Sequence, residues 1–141
     1  MNGLSKTKHA FYERMLRIAD EIGAGSNDHR YKFGSLLVYN KTIISSGHNY
    51  RKTHPVVQKY GYKREVGKQE RTFVHSEVSC TSKMRVVPKG AILFVSRRDR
   101  NGARQLARPC PVCMTEIRNK KIGEIVYTTP DGFAVEYINY D

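Results

Sequence analysis

The stretch RPCPVC, Arg108 to Cys113, sets two of the chain's three cysteines three positions apart, with Pro109 just before the first and Pro111 between them. Three chemistries use such a pair. A redox CxxC follows a strand and opens a helix, where the helix N-terminus activates one thiol, and Cys110 fits that description. A structural zinc site needs four closing ligands, which Cys110, Cys113, Cys80 and one of the histidines could supply. A catalytic metal site needs only three, with a position left open. The remaining sequence has to choose among them.

Composition narrows the choice. A chain of 141 residues is one domain of ordinary size, able to build a core without disulfide staples. With 27% charged and 39% hydrophobic residues it reads as soluble and globular. No apolar run approaches the ~20 residues of a membrane helix, and MNGLSKTKHA lacks the apolar segment of an export signal. Three cysteines do not make a disulfide framework, so a reducing cytoplasm is the expected compartment and metal or redox chemistry the expected use of the pair. The 25 Lys+Arg against 13 Asp+Glu leave a charge of +12, a field that draws in polyanions or phosphorylated small molecules.

Outward from the cysteines, the elements alternate. Phe11, Met15, Ile18, Ala19 and Ile22 share one helical face, and Gly23 stops the helix. KFGSLLVY (32–39) and TIISSG (42–47) read as a hairpin turning at Asn40-Lys41. Residues 50–72 break the pattern: seven Lys and Arg, from Arg51 to Arg71, face only Glu65 and Glu70. Such a long irregular insert points to a flap near a functional site. HSEVSCTSKM (75–84) reads as a short helix and GAILFVSR (90–97) as a strand buried on both faces. Pro109 is expected to open a further helix reaching about Lys120, and IGEIVYTT (122–129) to form the next strand. Pro130-Asp131-Gly132 between strand-like runs is a hairpin signal, so the last strand should run antiparallel to the one before it. This alternation is the mark of an α/β sandwich.

The deciding partner of the cysteines is His75-Ser76-Glu77. If the helix beginning at His75 and the one beginning near Cys110 meet, one imidazole and two thiolates form a three-ligand zinc site with an open fourth position. Glu77, two residues from His75 on a helix, points away from the metal and is free to act as general base and then general acid.

H-x-E followed by P-C-x-x-C is the signature of zinc-dependent deaminases, and the chain resembles the cytidine/deoxycytidylate deaminase superfamily. The order of elements is similar over roughly residues 8–138. The resemblance implies a single domain, 1–141, folded as a three-layer α/β/α sandwich around a central mixed five-stranded sheet. It implies zinc-dependent hydrolytic deamination of the cytosine of a (deoxy)cytidine nucleoside or its monophosphate, releasing ammonia. In that scheme His75, Cys110 and Cys113 hold the zinc and Glu77 moves the protons. Asn49 in GHN meets the sugar, Ser76 offers its backbone amide, and Tyr31 and Tyr127 are candidates to pack on the base. Arg51 stands where the free-nucleoside branch has a ribose-gripping glutamate, and an arginine there suits a phosphate. The antiparallel last strand is instead typical of nucleoside and small-substrate members. A homo-oligomer, dimer or tetramer, is common among them. Two other readings stay open: a deaminase of single-stranded DNA or RNA, to which the charge points, and a nucleic-acid-binding domain whose zinc is structural. Purine deamination uses the same chemistry.

Overall fold

The computed structural model describes residues 4–27, 31–51 and 73–140. Helix α1 (Lys6–Gly23) starts at Ser5, whose hydroxyl accepts from the Lys8 amide at 3.1 Å and so fills one of the donors a helix start leaves open. Its buried face is Tyr12, Met15, Leu16 and Ala19, at the spacing of one helical stripe. Strands β1 (Tyr31–Tyr39) and β2 (Thr42–His48) form the expected hairpin. Asn40 and Lys41 both take positive φ, 53° and 65°, the turn geometry that matches strand twist.

Two-residue strands β3 (Tyr50–Arg51) and β4 (Phe73–Val74) then pair antiparallel, with Arg51 opposite Phe73. The basic insert between them lies outside the described residues. Helix α2 (Ser76–Thr81) is shorter than the sequence suggested. Thr81 returns its hydroxyl to the Glu77 carbonyl at 2.9 Å, and Thr81-Ser82 are weak helix formers, so the helix ends there. Strand β5 (Ile92–Asp99) follows, then α3 (Pro111–Asn119), β6 (Glu124–Thr129) and β7 (Gly132–Tyr137). The start of α3 corrects the expectation placed on Pro109. Pro111 takes the first helical position, where its missing N–H costs nothing, and it forces Cys110 before it into extended backbone at φ −72°, ψ 168°.

The five long strands form one mixed sheet in the order β2-β1-β5-β6-β7. Only β5 and β6 are parallel, and α3 makes the crossover between them; β7 is antiparallel to β6, as the turn sequence required. Alternation along the strands divides the core. Leu36, Val38, Phe94 and Val126 meet α1 on one face. Leu37, Leu93, Val95 and Ile125 meet Cys80 of α2 and Met114 and Ile117 of α3 on the other. The result is the expected three-layer α/β/α sandwich.

Two glycines set the layers' spacing. A β-carbon at Gly34 would lie 1.8 Å from the Ala19 carbonyl oxygen, and one at Gly47 would lie 2.6 Å from the Cys80 amide nitrogen. Backbone therefore rests on backbone where α1 meets β1 and where α2 meets β2. Because β1 runs against both neighbours, its start, the end of β2 and the end of β5 share one rim of the sheet: Gly34 is opposite His48, and Phe33 opposite Arg97.

Candidate active site and metal centre

On that rim, α2 and α3 bring their starts together. His75 and Cys110 are the N-caps of the two helices, and Cys113 lies one turn into α3. His75 Nδ1 is 3.2 Å from Cys113 Sγ and 3.5 Å from Cys110 Sγ, and the two sulfurs are 3.5 Å apart. Zinc bonds of ~2.3 Å to sulfur and ~2.0–2.1 Å to nitrogen give tetrahedral edges of about 3.5–3.8 Å. The three atoms therefore stand close to where zinc ligands belong. Among the described residues no fourth histidine, cysteine or carboxylate joins them. Cys80 in particular is fully buried in the core between α2 and the sheet. That geometry disfavours both a closed four-ligand site and a simple dithiol.

The electrostatics fit ligation. Contact with the Cys113 thiol, and next with His75, pulls the Cys110 thiol down to about 4 against the effect of burial. Cys113 is held up by the same sharing with Cys110 and by its own burial. One thiolate is thus formed readily, and a bound cation would drive off the second proton. Glu77, 3% exposed, has its carboxyl raised by burial, with the charge on His75 opposing in part. Ser76 donates to Glu77 Oε1 at 3.1 Å, and the Ser35 and Ser76 hydroxyls lie 2.7 Å apart. Since Ser76 has one proton to give, Ser35 donates to Ser76, and the relay Ser35–Ser76–Glu77 fixes the carboxyl from beneath.

A cleft of about 320 Å³ opens over these groups, a volume suited to a small molecule. His75, Glu77 and Cys110 line it together with Asn49, Tyr31, Phe33, Arg97, Leu106 and Arg108. A larger groove of about 750 Å³ between α1 and the β1–β2 hairpin contains none of the metal ligands.

The site residues expected from the sequence fare differently. Asn49 is buried at the cleft, its Oδ1 accepting from the Phe33 amide at 2.9 Å and its Nδ2 donating to the Tyr31 carbonyl at 3.1 Å. It thereby fixes the start of β1. Tyr31 stands 38% exposed at the mouth. Ser76 is buried in the relay. Tyr127 is not brought to the cleft: it is packed in the core with its hydroxyl donating to Glu136 at 3.0 Å. The Arg51 backbone lies in β3, and its side chain is outside the described residues. Phe33, Arg97, Leu106 and Arg108 were not anticipated. A signal for Arg97 was present, because it shares strand parity with Leu93 and Val95, whose side chains face α2 and α3.

Comparison with known proteins agrees with this geometry. Residues 5–129 match the family described as the cytidine and deoxycytidylate deaminase zinc-binding region. The match ends before β7. No curated protein sequence matches the chain significantly. Among solved structures, the apo dCMP deaminase of cyanophage S-TIM5 superposes with a TM-score of 0.59 at 18% identity, over 88% of this chain and 84% of that one. The cytidine deaminase of Burkholderia pseudomallei gives 0.60 at 16% identity, over 88% and 90%. That of Mycobacterium leprae gives 0.53 at 19% identity, over 88% and 92%. At such identities these likenesses concern the fold.

Proposed function

The chain belongs to the cytidine and deoxycytidylate deaminase zinc-binding family, and from that premise we propose that it hydrolytically deaminates the cytosine base of a (deoxy)cytidine nucleoside or its monophosphate. The observation that carries the reading is the convergence of His75, Cys110 and Cys113 at 3.2–3.5 Å with the buried carboxyl of Glu77 beside them.

His75, Cys110 and Cys113 would hold the zinc. When bound, the metal supplies a Lewis acid that lowers the pKa of a coordinated water toward ~7. Glu77 takes a proton from the attacking water. The same buried carboxyl then hands that proton on to the base. The new C4–O bond forms as N3 is protonated, and the C4–N bond breaks as the amine takes a second proton and leaves as ammonia. Both protons come from the water, and the product carries a uracil ring. The Ser35–Ser76 relay holds the Glu77 carboxyl in place through both transfers. Asn49 shapes the wall by fixing the backbone of Tyr31 and Phe33.

The three free cysteines suit a reducing, cytoplasmic site of action, and a homo-oligomer is the assembly we carry with the reading. Among the described residues no helix is long and apolar enough to cross a membrane.

Ammonia release from cytidine, deoxycytidine, both monophosphates, single-stranded DNA and RNA, each with a chelator control, tests the reading. Release from a small substrate that stops in Glu77→Ala while the zinc is retained supports it. A Glu77→Ala protein as active as the parent would sink it and leave the zinc a structural role.

A further inference from the structure

Two arginines line the cleft, and the structure holds them in opposite states. Arg108 donates Nε and Nη2 to the two oxygens of Glu136, so its charge is balanced. Arg97 has no carboxylate partner among the described residues. Its guanidinium carbon sits 4.5 Å from the centre of the Tyr31 ring and 5.4 Å from that of Phe33. Nη1 donates to the Leu106 carbonyl at 3.2 Å, while Nε is buried with no hydrogen-bond partner among the described residues. A buried donor without an acceptor is rare in folded proteins and costs stability unless a ligand satisfies it. The neighbouring Arg98, on the other face of β5, is paired with Asp20. Arg97 is therefore the cleft's unneutralised cation among the described residues, held on a core strand and steadied by two aromatic rings.

A planar guanidinium with donors to spare suits an anion with paired oxygens, a phosphate above all. Cytosine and its sugar are neutral, so the anionic group available on a substrate of this site is a phosphate ester. Position agrees: Asn49 and Arg97 flank Phe33, one through its backbone hydrogen bonds and the other as its strand partner. Both thus stand at the same mouth. The net charge of +12 favours encounter with such a substrate.

We propose that Arg97 is a specificity-determining residue that receives the phosphate of a mononucleotide, making the monophosphate rather than the free nucleoside the substrate. This rests on the deaminase reading above. It assigns from a rigid strand the role that the sequence suggested for Arg51.

The test compares kcat/KM for dCMP, CMP, deoxycytidine and cytidine in the zinc-loaded full chain and in its Arg97→Gln and Arg97→Lys variants. The parent should prefer a monophosphate over its nucleoside by about 10- to 100-fold, the range of a charge-assisted contact. Arg97→Gln should bring that ratio toward unity, mainly through KM, and Arg97→Lys should restore part of it. A parent indifferent to the phosphate overturns the proposal. So does an Arg97→Gln loss that is equal for both substrate types, which would mark a clamp for Tyr31 and Phe33. Faster turnover of a single-stranded oligonucleotide than of any mononucleotide also overturns it. If none of the cytosine compounds releases ammonia, the deaminase reading fails, and calorimetry with dUMP and deoxyuridine decides the Arg97 assignment separately. Tighter dUMP binding that Arg97→Gln abolishes sustains it, and equal binding of the two ligands ends it.

Discussion

Arg108 and Glu136 are joined by two parallel hydrogen bonds, Nε to Oε1 at 2.8 Å and Nη2 to Oε2 at 2.9 Å. The pair ties the residue two positions before Cys110 to β7, with Tyr127 donating to the same carboxylate. The last strand thus helps hold the loop that delivers a metal ligand. The family match stops at residue 129, ahead of this strand.

The ion pair has a calculable pH signature. The hydrogen bonds from Arg108 hold the Glu136 carboxyl below its usual range. A carboxyl with a lowered folded pKa contributes stability that is present above the unfolded value of ~4.3 and is lost as pH falls through the lower folded value. Both side chains are substantially exposed, 50% and 32%, so Glu136→Gln should cost no more than about 1 kcal/mol at pH 7. In urea denaturation that difference should hold above about pH 5 and shrink progressively as pH falls past ~4.3 and through the lower folded value.

Gly34 should tolerate no side chain. The 1.8 Å approach of its would-be β-carbon to the Ala19 carbonyl involves backbone on both sides, so Gly34→Ala must push α1 off the sheet. A loss of at least about 3 kcal/mol is expected. Gly123, where the nearest atom would be 3.8 Å away, is the control, and its alanine variant should stay within about 0.5 kcal/mol of the parent. Chemical denaturation of both measures the contrast.

Zinc content separates the three cysteines. Cys113→Ser should lose the metal, whereas Cys80→Ala, altering a core residue outside the ligand group, should keep it in full. Chelation should lower the melting temperature of the parent and of Cys80→Ala, because binding to the folded chain is linked to its stability, and should leave that of Cys113→Ser unmoved. Metal analysis with thermal melts reads all of this. Zinc loss in Cys80→Ala would contradict the three-ligand site.

Glu77→Gln keeps the size of the side chain and removes its proton transfer. Turnover should fall by about 10²- to 10⁴-fold, the range for a lost general acid–base group. Zinc content should not change, since Glu77 is not a ligand. Ammonia release and metal analysis on the same preparation check both.

Much of this molecule was legible in its sequence, where local pattern carried the information. The helix α1, the Asn40-Lys41 turn and the antiparallel β7 depend on neighbours in the chain and appear as expected, although the buried face of α1 is centred on Tyr12 and Leu16, with the expected Phe11, Ile18 and Ile22 at its partly buried margin. The rest depends on contacts between segments remote in sequence. Arg97 meets Tyr31 and Phe33 only because β1 and β5 pair in one particular register. Tyr127 packs in the core with Ile125, and Glu136 across the hairpin accepts from its hydroxyl. The start of α3 could have been placed by local rules, for a residue preceding proline avoids the helix, but two prolines competed for one role.

The pairing of Arg51 with Phe73 sets two residues twenty-two positions apart in the chain side by side, just ahead of His75. His75 thus follows directly from a strand pair anchored at Tyr50 and Val74. The first metal-binding position is therefore keyed to a short ladder of backbone hydrogen bonds, and what weakens that ladder should reach the site through His75.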